Sequence, residues 1–223
     1  MEPASGPMDK LVRPLPAEPG HVRRANTAAI LEAAEQVFSR GGFAGGRMAE
    51  IAVAAGLPKA NVHYYFGTKE RLYGAVLEDI ITRWLDTAAD WIVPERHPAD
   101  ALAGYVRAKL ADARLRPGAS RIFAAELLRG APLVMPFLRG ELRRRVAEMG
   151  VVIQGWSASG LMDEVVPAHL FFSIWAMTQT FADFDVQIRA VLGKDELDDE
   201  VFATAATTVT AMVLKGCGVS AAT

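Results

Sequence analysis

The chain has 223 residues, 51% hydrophobic and 22% charged, which suits a compact body plus a small module and excludes wholesale disorder. Its net charge of −2 hides an uneven distribution: residues 21–72 carry seven basic groups against four acidic ones, a local +3 that leaves the remainder at −5. That basic end suits phosphate binding, but an excess so mild does not by itself identify a nucleic-acid-binding protein. A single cysteine, Cys217, excludes an internal disulfide and fits a reducing cytoplasm. No positively charged start leads into an apolar run and no apolar stretch reaches about 18 residues, so neither a signal peptide nor a membrane span is expected.

Residues 1–20 hold Pro3, Pro7, Pro14, Pro16 and Pro19 without a periodic apolar face and read as a disordered tail, or as an arm that follows a nucleic-acid surface. The Arg23-Arg24 pair, ahead of the first helix, is the better phosphate candidate. Apolar residues at Ile30, Ala33, Ala34, Val37 and Phe38 predict an amphipathic helix over 27–39, ended by Gly41-Gly42, with Phe43 as a core plug. A second helix spans 47–55. Gly56 then supplies a residue able to take positive φ, Leu57-Pro58 turns the chain, and a two-turn helix follows over 59–65. That short helix is crowded with Lys59, Asn61, His63, Tyr64 and Tyr65, little of it core material. It suits a major groove, first turn toward base edges. The turn spacing alone is shared by many helical hairpins.

Gly67-Thr68-Lys69-Glu70 opens a long helix over 69–91 with Leu72, Val76, Leu77, Ile80, Ile81, Trp84 and Leu85 on its buried stripe. Further helical patterns cover 99–115, 119–129, 135–157, 169–184 and 196–215, and nothing reads as a convincing strand pair. The expected fold is all-α, with nine or ten helices: a three-helix helix-turn-helix unit over 21–68, a larger effector-binding and dimerisation body over 69–217, and a short tail from 218.

The stretches Ile30–Gly45 and Ile51–Tyr73, matched in order and spacing, resemble the amino-terminal signature of TetR-type repressors. Two positions depart from it: Gly46 stands where the family has Thr, and Pro58 where it has Ser, which puts two backbone contacts in doubt but not the motif. The resemblance implies a double-stranded DNA operator as partner. Arg24, Arg47, Lys59, Ala60, Asn61, His63, Tyr64, Tyr65 and Lys69 are the expected DNA-contacting positions.

The helices over 169–184 and 196–215 are apolar on more than one side. One stripe runs Leu170, Ile174, Met177, Phe181; its neighbour runs Phe171, Trp175, Gln179, Ala182. Either they close the monomer core or they form a four-helix homodimer interface, which a palindromic operator with half-sites about 34–36 Å apart requires. Gln179, an amide on an otherwise apolar face, is costly if unpaired. It can meet the donor/acceptor edge of a planar ligand or pair across a dimer. Trp84 and Trp175 are ligand walls or core, and Asp183 is an acceptor or a helix cap.

From Ala103 onward, AGYVRAKL, the stretch Pro117–Leu133, IQGWSASGL, the stretch His169–Phe184 and DEVF resemble the pyrimidine-responsive type within that family. That type binds uracil or thymine and then leaves its operator. The resemblance implies a pyrimidine-like small-molecule effector, with Trp84, Trp175 and Gln179 at matching positions, released repression as the output, and no cofactor; Phe123, Phe171 and Asp183 complete the expected ligand-binding set. Catalysis has little support. His21, His63, His97 and His169 lack metal-ligand spacing, and there is no phosphate loop or nucleophile elbow. The acidic run 195–200 lacks the glycine of a calcium loop and reads as a solvated helix start.

Overall fold

A computed structural model describes residues 19–219 of the chain, and among these there are eleven α-helices and no strand. The elements are α1 (Pro19–Gly45), α2 (Met48–Ala54), α3 (Lys59–Phe66), α4 (Lys69–Trp91), α5 (Pro98–Leu115), α6 (Pro117–Leu128), α7 (Met135–Phe137), α8 (Arg143–Ala158), α9 (Pro167–Asp183), α10 (Asp185–Leu192) and α11 (Asp199–Gly216). A single π-helical turn, Leu138–Leu142, joins α7 to α8.

The structure departs from the expected helices at three places. The first helix begins at Pro19, eight residues early, so Arg23 and Arg24 lie within it, and Pro19 and Gly20 belong to α1 rather than to a tail. A proline costs nothing in a first turn, and the apolar stripe that fixes α1 starts later than the helix itself. The rest of the proposed tail lies outside the described residues, as does 220–223. The single helix expected over 135–157 is interrupted by the π turn, and α10 occupies a stretch read as a connection.

The first three helices share a core with the start of α4. Ile30, Ala34 and Phe38 of α1, Ile51 of α2, Val62 of α3 and Leu72 of α4 are buried together. Phe38 meets Tyr73 edge to face at 5.0 Å, and Phe43 meets it from the other side at 5.1 Å. Gly42 kinks the end of α1 at φ 62°. Gly46 has a packing reason: a Cβ there would sit 2.6 Å from the Phe38 ring. Gly46→Thr, which restores the hydroxyl seen elsewhere in the family, should therefore destabilise the fold by about 1–3 kcal/mol in urea melts. A neutral result would mean that Phe38 swings aside freely.

α4 spans the molecule. Thr68 caps it by accepting from the Arg71 N–H at 3.2 Å, and its buried face runs from Leu72 to Ala88. α5 crosses it so closely that a Cβ on Gly104 would lie 2.0 Å from the Trp91 ring. α6 leans on α1, where Arg116, at the α5–α6 corner, donates to the Glu35 carboxylate through Nε and Nη2. Burial works against that guanidinium's charge, and the Glu35 carboxylate, with Asp112 and Asp79 behind it, more than restores it. α9 runs between α5, α6 and α8, while α11 packs on α5.

Candidate DNA reader and effector cavity

In the reader, Val62 is the one fully buried residue of α3, with Tyr65 and Phe66 packed partly against the same core. Around that anchor Lys59, Ala60, His63 and Tyr64 are exposed, and Asn61 and Tyr65 are half-buried. Tyr64 is 79% exposed, and a ring held so far into water is not doing packing work. Gly56 takes φ 64° to turn α2 into α3, and the carbonyl of Pro58 accepts the Asn61 N–H at 2.9 Å. Tyr65 is positioned: its hydroxyl accepts from Asn26 Nδ2 of α1 at 3.2 Å, and its ring meets Tyr64 at 5.3 Å. His63 Nδ1 lies 3.1 Å from the Gly67 carbonyl; an Nδ1–H donated there leaves Nε2 as the free acceptor.

The flanking cations differ. Arg47, at the N-cap of α2, and Arg24, on α1, are exposed. Lys69 donates to the Ala44 carbonyl at 3.1 Å and lies over the Phe43 ring, so it braces the end of α1 while keeping further protons to donate.

In the body, α4, α5, α6, α9 and the end of the π turn line a partly open cavity of about 40 Å³, room for only a few waters and well below typical ligand cavities of roughly 300–1,000 Å³. Trp84, Phe123, Trp175 and Gln179 all line it. Trp84 and Phe123 meet edge to face at 5.2 Å, and Trp84 Nε1 donates to Asp112. Trp175 Nε1 donates to the Tyr105 hydroxyl at 2.7 Å, which fixes that indole as a wall. Gln179 makes no hydrogen bond among the described residues, so its amide is free to serve a guest.

Phe171 and Asp183 do not line the cavity. Phe171 is buried behind Tyr105 and Trp175, with ring centroids 6.1 and 6.0 Å away. Asp183 ends α9 with a buried Oδ1 that lacks a hydrogen-bond partner among the described residues. Burial raises its carboxyl above the usual range, opposed first by the nearby Ser120 hydroxyl and then by Lys109 and Arg121.

Of the lining residues that the sequence analysis did not assign to the site, Tyr105 and Lys109 are the polar ones. Lys109 is 3% exposed, and its ammonium lies 4.1 Å from the centre of the Trp84 ring. Burial pushes it down to about 8 against the pull of Asp112 and Asp183. The signal was its spacing: Lys109 follows Tyr105 by one turn on the face that also carries Leu102 and Val106. The cavity thus joins flat apolar walls to one cation, one amide and one phenol.

A helix-turn-helix with an outward α3, borne on a larger helical body, defines the class of DNA-binding transcriptional regulators. Residues 30–76 match the model of bacterial regulatory proteins of the tetR family, and residues 77–220 match that of the YcdC-like protein C-terminal region. The HTH-type transcriptional regulator RutR of Escherichia coli K12 is 45% identical over 178 residues, spanning 80% of this chain and 83% of RutR. The HTH-type transcriptional repressor NicS of Pseudomonas putida is 29% identical over 191 residues, 84% of this chain and 90% of NicS. A TetR family transcription regulator from Marinobacter aquaeolei VT8 shares the fold, with a TM-score of 0.65 at 21% identity over 86% of this chain and 97% of that one.

The chain belongs to the TetR family and is a transcriptional regulator of that family. The proteins it matches are regulators and not enzymes. No helix among the described residues is long and apolar enough to cross a membrane.

Proposed function

We propose that the chain is a repressor that holds a palindromic operator as a homodimer and lets go when a small planar ring, a pyrimidine such as uracil or thymine, occupies the cavity. The observation that carries this reading is the unpaired Gln179 amide between aromatic walls and beside the Lys109 ammonium. A pyrimidine ring offers flat faces and an edge of alternating carbonyls and N–H groups. The amide meets that edge as donor and acceptor together, and the ammonium donates to a carbonyl. The resemblance of the sequence from Ala103 onward to the pyrimidine-responsive type supports the same class of effector.

Residues 21–68 act as the reader and 69–217 as the body. Lys59, Ala60, Asn61, His63, Tyr64 and Tyr65 face bases and phosphates, with Arg24, Arg47 and Lys69 on the flanking backbone. Lys59→Ala should weaken operator binding and lower the salt slope by about one per subunit in anisotropy titrations at several salt concentrations. An unchanged slope would remove Lys59 from the phosphate contacts.

Dimerisation has support in the outer faces of α9 and α11. Met212 is 59% exposed, and Leu170, Met177 and Phe181 are half-buried on the same side. Two apolar grooves flank these helices, one of about 610 Å³ against α10 and one of about 790 Å³ near Cys217. Such a surface calls for a cover. Light scattering should read twice the 24.0 kDa chain mass; a monomer at operator-binding concentrations would contradict the reading.

Ile81, Trp84 and Leu85, on α4, line the cavity, and α4 starts at the reader. A ring that wedges the cavity open shifts α4 and with it the spacing of the two readers. Release follows only if the ring prefers the spacing that the operator does not. Thermal-shift titration with uracil, thymine, dihydrouracil and unrelated rings tests the effector class. At a hundredfold excess over its dissociation constant a true effector adds about 2.7 kcal/mol, a rise of roughly 5–10 °C. No shift with any pyrimidine would reject the class.

A further inference from the structure

Two side chains that line the cavity, Leu142 and Trp175, also line an open groove of about 530 Å³ between α8, the start of α9 and the π turn. No other residue is common to both spaces, so the partition between them is two side chains wide. The groove has apolar walls, Val146, Pro167 and Phe172 among them, with Arg143 and Gln154 supplying its polar contacts. A small polar ring can be gathered there.

The two partition residues are held very differently. Trp175 sits within regular helix, is tethered by its hydrogen bond to Tyr105 and is flanked by the rings of Phe171 and Phe172. Leu142 has no polar tether and stands at the end of the π turn, where the Arg143 N–H is shared between the carbonyls of Leu138 and Gly140. A π turn carries one residue more than the α register needs, and such turns recur at functional sites. Moving the extra residue along the helix rotates the intervening side chains by about 100°. Gly140 lies inside the turn, and the loop before α7 carries the left-handed Ala131 at φ 55°. On the other side, α8 is tied to α4 by the Arg145–Asp86 ion pair at 2.6 Å. The turn can therefore re-register while α8 stays in place.

We propose that Leu142 is the gate of the cavity: a small molecule passes from the outer groove into the ring site when the π turn swings this side chain aside. Leu142 then also limits the size of ring that the closed site accepts. The inference rests on the cavity being the effector site, but its test needs no effector.

In a Cys217→Ser background, Gln179→Cys puts a thiol on the cavity wall, and its rate of reaction with methyl methanethiosulfonate reports access. Leu142→Ala should raise that rate on the order of tenfold, and Leu142→Trp should lower it by a similar factor, at unchanged helicity by circular dichroism. Equal rates in all three proteins would overturn the gate. Acceleration by both substitutions would overturn it too, because general loosening needs no gate. The effector reading fails separately, through Gln179→Ala proteins that still respond to pyrimidines.

Discussion

Gln179→Ala should leave operator affinity within about twofold of the native value while weakening pyrimidine-induced release by roughly 10- to 150-fold. The basis is the cost of burying a ring edge without its partners, about 1.5–3 kcal/mol. Gln179 makes no hydrogen bond within the described chain, so its loss orphans nothing in the empty protein. It lies on α9, away from the reader, so operator binding has no reason to change. Trp175→Ala should give the same phenotype with more damage, since it also removes the Tyr105 hydrogen bond and part of the wall toward the outer groove. Anisotropy titration of a labelled operator with increasing uracil reads both effects. Unchanged release in both variants would move the effector site elsewhere.

Effector binding should weaken by about fivefold between pH 8 and pH 9, with the break set by Lys109. Burial holds this ammonium at about 8, below its ordinary 10.5. Between those values the unfolded chain carries a proton that the folded chain lacks. Stability therefore rises with pH across that window, and the full cost of the buried charge is present below about 8. Effector affinity runs the opposite way. A ring carbonyl accepts from the charged form, so binding is strongest below about 8 and falls as the proton leaves. Lys109→Met should flatten the pH profile, stabilise the empty fold and cost roughly 10- to 150-fold in effector affinity, the worth of one charged hydrogen bond. The same pH break in Lys109→Met would assign the titration to another group.

Much of this was readable from residue order. The glycine at the α2–α3 turn, the short polar-aromatic α3 and the cap at Thr68 are local signals, and local chemistry is what a sequence carries best. The long stripe from Leu72 to Leu85 fixed α4 to its last turn at Trp91 for the same reason. Trp84, Phe123, Trp175 and Gln179 do meet at one cavity. Phe171 and Asp183 share their helix but lie behind the wall, because helical spacing gives a face and not a depth.

What escaped the reading depends on tertiary surroundings. Lys109 shares a face with Leu102, Tyr105 and Val106, but it becomes a site residue only where α4 lays Trp84 over its ammonium. The helix α10 was missed because it is only eight residues long, between the C-cap of α9 at Phe184 and Gly193, and reads as part of the connection. The π turn is a change of hydrogen-bond register, and no residue type announces it. The start of α1 at Pro19 precedes the apolar residues that would have flagged it.

The central claim is that α3 sits in a duplex only while the cavity is empty. Its most direct test is anisotropy of a genomic operator fragment titrated with the protein, without and with saturating uracil, occupancy being verified by thermal shift. The account predicts tight, sequence-selective and salt-dependent binding that is lost on addition of uracil. An equal grip on the operator with the cavity filled, or no selective grip at all, would contradict it.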